Sequence, residues 1–337
     1  MPTKPMTPTP ATAATTATTA TPATTATTAT TADFVTDQFL GHRELLFSVV
    51  YNMLGSIADT EDVLQEAWLA WSARNRRPAA GPVDNVRAYL VRIAVNQALA
   101  RRADIGRRRE AYVGPWLPEP LLPGEFDAVG SGAERAEALS MAVLVVLETL
   151  SPLERAVFVL HEVFGFPHTE IGLILDRSPA AVRQLATRAR RHVRERRPRH
   201  RPVPDLHARV TERFAEAALG GDLRALMEVL APDVTLWTDG GGKGPAVSLR
   251  PVHGSERVAA VFAAVARGLP AAGLDIGYRW VAGDPCALVL GGDGPLAAVI
   301  VDLTPDGGRI AAVFSITNPD KLAGVPAHRA GPGLPLP

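Results

Sequence analysis

Apolar positions between Asp33 and Asp104 recur at helical spacing in three successive runs. Phe39, Leu45, Leu46, Val49, Val50, Met53 and Leu54 form the first, which Gly55 ends. A second helix is predicted from near Asp59, with Val63, Leu64, Ala67, Trp68 and Trp71 on one side and Glu61, Asp62, Gln65 and Glu66 on the other. The third runs from about Asp84 to Ala103. It turns Val86, Leu90, Ile93, Ala94 and Leu99 inward and leaves Arg87, Arg92, Asn96, Arg101 and Arg102 outside.

A second helical block is predicted at Glu134 to Leu150, at Pro152 to Val163 with Ser151 as N-cap, and around Thr169 to Leu175. Ser178-Pro179 then opens a further helix, a capping oxygen followed by a proline at the first helical position. Val182, Leu185, Ala186, Ala189 and Val193 face inward there, which leaves Arg183, Gln184, Thr187, Arg188 and Arg191 on the open face. Helix, turn and polar face together make a helix-turn-helix pattern. Its turn uses Asp176, a residue that adopts the left-handed conformation at modest cost.

From His207 the pattern becomes mixed. Helices are predicted near His207 to Leu219, Leu223 to Leu230 and Glu256 to Ala266. Strands are predicted at Val234 to Trp237, Ala246 to Arg250, Leu274 to Val281, Ala287 to Leu290, Leu296 to Leu303 and Ile310 to Thr317. This order implies a curved antiparallel sheet wrapped over helices. The fold class is therefore multidomain, two all-α blocks followed by an α+β unit. The expected boundaries are 33–104, 134–197 and 207–322, with linkers at 105–133 and 198–206. The threonine-, alanine- and proline-rich stretch 1–32 and the stretch 323–337 are expected to be disordered.

Within the long linker, Tyr112-Val-Gly-Pro-Trp-Leu-Pro-Glu-Pro120 holds three prolines, which remove amide donors and force an extended course. Tyr112, Trp116 and Leu117 stand side by side in it, so a cover over them is expected. About 30 residues of linker could reach roughly 100 Å if extended. Reach therefore does not limit how far apart the two helical blocks can sit.

Composition sharpens this picture. A 337-residue chain that is 47% hydrophobic can build two or three cores. Its formal net charge of zero conceals segregation: nine arginines stand against Glu195 alone between Arg183 and Arg201, a surface suited to phosphates. Cys286 is the only cysteine, which excludes an internal disulfide and cysteine-rich zinc sites and fits a reducing cytosol. No window has the roughly 18 to 20 uncharged apolar residues of a membrane span, and 1–32 does not read as a signal peptide. Three lysines stand against 32 arginines, which draws attention to Lys243 and Lys321 in the folded part.

Asp59-x-Glu61-Asp62-x-x-Gln65-Glu66, followed by Asn85-Val-Arg-Ala-Tyr-Leu-Val-Arg-Ile-Ala-Val-Asn96, resembles region 2 of bacterial extracytoplasmic-function sigma factors. The helix-turn-helix resembles their region 4, and the last unit resembles the SnoaL-like, NTF2-like cone. Asp239-Gly-Gly-Gly-Lys243, Asn318-Pro-Asp-Lys-Leu322 and Trp116-Leu-Pro-Glu-Pro120 together are similar to sigma factors with a fused SnoaL-like domain, the SigJ-type group. The resemblance implies that Asp62, Gln65 and Glu66 meet core RNA polymerase, whose clamp helices and flap would be the docking sites. It also implies that Arg87, Tyr89, Arg92 and Asn96 meet the −10 element. Ala100 stands where the family commonly has an aspartate, which leaves base identity there open. For the −35 element, Arg183, Gln184 and Thr187 are candidates for base edges, and Arg188 and Arg191 for phosphates.

By the same resemblance the cone regulates the sigma core without a separate anti-sigma factor. Trp116, Leu117, Pro118, Asp239, Lys243, Asn318, Asp320 and Lys321 would carry the regulatory contacts, with the glycine loop and Lys243 beside Trp116. Trp237, Asp239, Arg250, His253 and Asp302 are candidates to line a cone pocket, which leaves room for an unidentified small ligand. No nucleophile and base pairing is legible, so no enzymatic activity, cofactor or metal site is expected. Two other readings compete: a one-component DNA-binding regulator sensing a ligand in the cone, and a bifunctional protein with a cyclase- or isomerase-like cone. The acidic helix and the second DNA-reading block favour the sigma factor, a cytoplasmic protein.

Overall fold

The computed structural model describes residues 33–77, 81–122, 139–196, 203–245, 248–268, 274–292 and 294–325. The expected tail 1–32, most of 323–337 and the second half of the long linker lie outside the described residues. A helical stretch over 33–40 (α1) leads into α2 (Arg43–Leu54), α3 (Ile57–Asn75) and α4 (Val86–Glu110). Gly55 ends α2 at φ 71°, a left-handed position that its missing Cβ allows. Ser56 caps α3 through Asp59 N, so that helix begins two residues earlier than the sequence suggests. The Asn85 side chain caps α4, which continues to Glu110, well past the expected end at Ala103. The first residues of the expected linker are therefore helical.

The second block contains α5 (Met141–Leu147), α6 (Pro152–Phe158), a π-helical turn (Val159–Val163), α7 (His168–Leu175) and α8 (Pro179–Arg196). Ser151 and Glu154 form a complete capping box at the start of α6. Asp176 occupies the left-handed region at φ 54°, as its place in the turn requires. Gly172 has a second, steric task, because a Cβ there would sit 2.6 Å from the Arg177 carbonyl oxygen. The two blocks share one continuous apolar core, in which Leu46, Trp71 and Leu90 belong to the same buried cluster as Leu147, Phe166, Ile171 and Val182.

The last unit holds α9 (Pro204–Gly220), α10 (Leu223–Val229), β1 (Leu230–Asp239), β2 (Val252–His253), α11 (Ser255–Gly268), β3 (Asp275–Val281), β4 (Asp284–Gly291), β5 (Gly294–Leu303), β6 (Ile310–Ile316) and α12 (Pro319–Leu322). The strands run β2-β1-β6-β5-β4-β3 in one sheet. The sheet is mixed, not antiparallel throughout, because β1 pairs with β6 in parallel across the intervening chain. The strand expected at Ala246 to Arg250 is displaced: 248–250 is irregular, 246–247 lie outside the described residues, and the pairing falls to Val252–His253. The short linker expected at 198–206 is also shortened, since Pro204 starts α9.

Period-2 alternation gives this sheet two buried faces. Val299, Val301 and Val313 pack against Phe214, Leu226 and Val258 of α9, α10 and α11. Ala298, Ile300, Phe314 and Ile316 face the opposite way, where Leu117 and Leu122 of the linker and Met141 and Ala142 of α5 cover them. The rest of the molecule thus supplies the second layer of the sheet.

Candidate functional site

The linker is bound from both sides. Toward the first block, Tyr51 Oη donates to the Glu119 carbonyl at 2.5 Å, Glu119 N donates to Gly55 O at 2.9 Å, and Ile57 N donates to the Glu119 carboxylate at 2.6 Å. Pro118 lies over Gly55. Burial raises the Glu119 carboxyl above its usual range, against the lowering pull of the Ile57 amide. This part of the linker therefore seals the corner at which the acidic helix α3 begins.

Toward the sheet, Asp239 at the end of β1 is wholly buried, and its carboxylate accepts three hydrogen bonds. They come from Tyr112 Oη at 2.5 Å, Leu117 N at 2.7 Å and Lys321 Nζ at 2.7 Å. Lys321 also donates to the Leu117 carbonyl, and its Nζ lies 3.4 Å from the centroid of the Trp116 ring. Arg109 covers the same indole, 4.5 Å from its centroid, and Tyr112 meets it edge-on. Asn318 Nδ2 donates to Tyr112 Oη at 2.9 Å. A lone buried ammonium is costly; here a carboxylate, a carbonyl and an aromatic face compensate it. Burial still lowers Lys321 to about 8, with Asp239 opposing the change.

The three short motifs thus converge, with one exchange of roles. Lys321, not Lys243, meets Trp116; Lys243 forms an exposed 2.5 Å pair with Asp320. The glycines of the loop explain how it approaches so closely. A Cβ on Gly241 would meet Asn318 Nδ2 at 2.3 Å, one on Gly242 would meet Val113 at 3.2 Å, and one on Gly244 would lie 1.9 Å from Thr317 O. The pocket candidates separate: Asp239 belongs to this lock, Trp237 stacks on Phe314, His253 bonds Thr235, and Arg250 sits in an exposed bend. Asp302 is half-buried on β5.

A second junction, not legible in the sequence, joins the helical blocks to each other. Arg102, Arg109 and Arg155 all donate to Glu148, and Arg102 and Arg155 also donate to the carbonyls of Met53 and Asn52 at the end of α2. Burial raises the Glu148 carboxyl, but Arg155, Arg109 and Arg102 outweigh it and hold it at about 2. Arg102 is buried and not on the open face of α4 as expected, and burial lowers it to about 10. The cone joins in directly, since Asp284 accepts from Met141 N at 2.9 Å and so caps α5.

The expected polymerase and DNA residues divide between open and engaged positions. Gln65 and Glu66 are exposed on α3, whereas Asp62 pairs with Arg101. Arg101 and Arg108 also hold Asp59, whose carboxyl they lower against the opposing effect of burial. On α4, Arg92 is exposed, Tyr89 packs against Trp71 under Arg74, Arg87 stacks 4.4 Å from the Phe166 ring, and Asn96 reaches Ile174 O at 3.5 Å. The helix expected to read the −10 element therefore leans on the helix-turn-helix. On α8, Arg183, Gln184, Thr187, Arg188 and Arg191 share the exposed side. Arg188 is 3.3 Å from Glu154, Arg191 faces Glu195, and Thr187 bonds the Arg183 carbonyl.

Comparison with known families matches residues 39–108 to sigma-70 region 2, 140–193 to sigma-70 region 4, and 211–328 to the SnoaL-like domain. The chain is 36% identical over 298 residues to the ECF RNA polymerase sigma factor SigJ of Mycobacterium tuberculosis, spanning 86% of this chain and 93% of that one. This chain is an ECF sigma factor. It acts in transcription initiation, as the family does. The crystal structure of the M. tuberculosis SigJ superposes with a TM-score of 0.65 at 34% identity, covering 87% of this sigma factor and all of that chain. A probable ECF sigma factor SigI from the same species is 34% identical over 210 residues, 60% of this chain and 69% of its own. No helix among the described residues is long and apolar enough to cross a membrane.

Proposed function

We propose that this sigma factor carries its own regulator: residues 33–110 and 139–196 engage core RNA polymerase and promoter DNA, and the unit from 204 to 325 sets their arrangement through the linker. Asp62, Gln65 and Glu66 dock on the polymerase clamp helices, and the second block reaches the flap. Arg87, Tyr89, Arg92 and Asn96 take the −10 element. Arg183, Gln184 and Thr187 read −35 base edges, while Arg188 and Arg191 hold phosphates. The protein works in the cytoplasm, where its polymerase and promoter are.

The observation that carries this reading is the closure of Lys321 and Asp239 around Tyr112, Trp116 and Leu117. It ties the linker to the cone by contacts internal to one chain, which supports regulation without a separate anti-sigma factor. The same contacts support a non-catalytic cone, because they commit the buried Asp239 carboxylate and Lys321 ammonium to the linker. The Arg87–Phe166 and Asn96–Ile174 contacts support a resting arrangement that opens when α4 takes up DNA.

Run-off transcription with core polymerase tests this, comparing the wild-type chain with Lys321→Ala. The full chain is expected to bind core enzyme and initiate at promoters, and the variant to change promoter output while retaining core binding. A chain that does not bind core polymerase would overturn the sigma assignment of these surfaces. Unchanged output in the variant would overturn the role of the lock.

A further inference from the structure

The π-helical turn between α6 and α7 places an imidazole pair beside the recognition helix. His161 Nδ1 lies 2.9 Å from the Phe166 carbonyl oxygen, which can only accept, so Nδ1 carries the hydrogen. In the neutral ring Nε2 is then an acceptor. That nitrogen faces the Glu162 carboxylate, 3.9 Å from its Oε1. Two acceptors gain nothing from each other, and the carboxylate is taken by Arg190, whose Nε and Nη2 donate to the same oxygen at 3.0 and 2.5 Å.

Charged and titratable groups enter from each neighbouring element. His168, at the first position of α7, lies against His161 with ring centroids 4.1 Å apart and planes tilted by 36°. Burial lowers its basicity, and His161, Arg183 and Arg190 add to the effect, while Glu162 opposes it. Arg183 and Arg190 come from α8, and Arg87 of α4 lies over Phe166, the residue whose carbonyl orients His161. Arg190 is half-buried at the edge of the exposed side of α8: with Thr187, Arg191, Arg194 and Glu195 it lines a cleft of about 330 Å³.

We propose that His161, Glu162 and Arg190 form a proton-gated phosphate contact for promoter DNA. At neutral His161, Glu162 holds Arg190 and cancels its charge. A proton from solvent on His161 Nε2 turns that acceptor into a donor aimed at Glu162. The carboxylate then gains the imidazolium as a cationic partner, and Arg190 is released toward a DNA phosphate. An imidazole suits this task because it changes charge between about pH 5 and 8. The assignment rests on α8 being the DNA-reading helix.

The test uses the full chain and a fluorescein-labelled, mixed-sequence DNA duplex, with binding followed against salt at about pH 8 and about pH 5.5, either side of the imidazole range. One additional phosphate contact steepens the slope of log affinity against log salt by about 0.9. The wild type is expected to gain that increment at the lower pH. His161→Gln should lack it, Glu162→Gln should show it at both pH values, and Arg190→Gln should show it at neither. Equal pH dependence in the wild type and His161→Gln overturns the gate. Arg188→Gln serves as the control for the underlying reading, since a slope insensitive to it places DNA elsewhere than on α8. Independently of DNA, the Arg190 Nε–H resonance should move between about pH 8 and about pH 5.5 in the wild type and not in His161→Gln; a signal that stays fixed in the wild type overturns the gate whichever helix meets DNA.

Discussion

Lys321 sets its ammonium over the Trp116 indole, 3.4 Å from the ring centroid, while the same nitrogen bonds the Asp239 carboxylate at 2.7 Å. One side chain near the end of the described chain therefore fastens the linker between the helical blocks. Removing one partner of a buried ion pair costs about 3–5 kcal/mol, because the other charge is left uncompensated. Lys321→Ala is expected to lose that much from the linker contact, and exchange of the Leu117 amide, now donated to Asp239, should accelerate in proportion. Leu117 protection equal to the wild type would show that the pair does not hold the linker.

Glu148 makes the contact between the helical blocks acid-sensitive. Its carboxyl is held at about 2 instead of 4.5, so its contribution is complete above about pH 4.5 and disappears as pH falls toward 2. A shift of this size corresponds to something on the order of 3 kcal/mol. Glu148→Gln should leave three guanidiniums without their carboxylate and remove most of that acid dependence. Thermal unfolding of the two proteins between pH 5 and pH 3 provides the measurement.

Two glycines separate steric need from mere permissiveness. Gly244→Ala would press a methyl against Thr317 O at 1.9 Å, and a forced backbone shift of this kind costs about 1–3 kcal/mol or more. Gly106 sits inside α4 with nothing within 4 Å of a built Cβ. Gly106→Ala should instead stabilise by about 0.5–1 kcal/mol, through helix propensity. Denaturant midpoints of the two variants should move in opposite directions.

Arg188 tests the face of α8. It is more than half exposed and only loosely paired with Glu154 at 3.3 Å. If it holds one phosphate, Arg188→Gln should reduce the salt slope of DNA binding by about 0.9. A parallel Glu154→Gln variant should leave the slope the same or steeper, at some cost to the capping box on α6.

The helical blocks were readable because burial at Leu46, Trp71, Leu90 and Val182 follows one helical period and the caps at Ser151 and Asn85 use local chemistry. The linker aromatics announced a missing cover for the same reason: apolar side chains on an irregular segment need a partner. The exchange between Lys243 and Lys321 was not readable, since both lysines sit in short polar motifs and only the approach of α12 to the linker decides between them. The parallel pairing of β1 with β6 depends on a long-range connection that strand patterning does not encode. Arg102, Arg109, Arg155 and Glu148 were also hidden, because an arginine on an amphipathic helix looks solvated until a second helix closes over it.

The capping of α5 by Asp284 and the closing of the linker by α12 also order events in time. A ribosome delivers both DNA-reading blocks before it delivers Asp284 or Lys321, and domains fold in the order they emerge. During synthesis α5 lacks the cone's cap and Leu117 lacks its buried partners. Each new molecule therefore passes through an unlatched stage, and its resting state is established only as α12 emerges and docks.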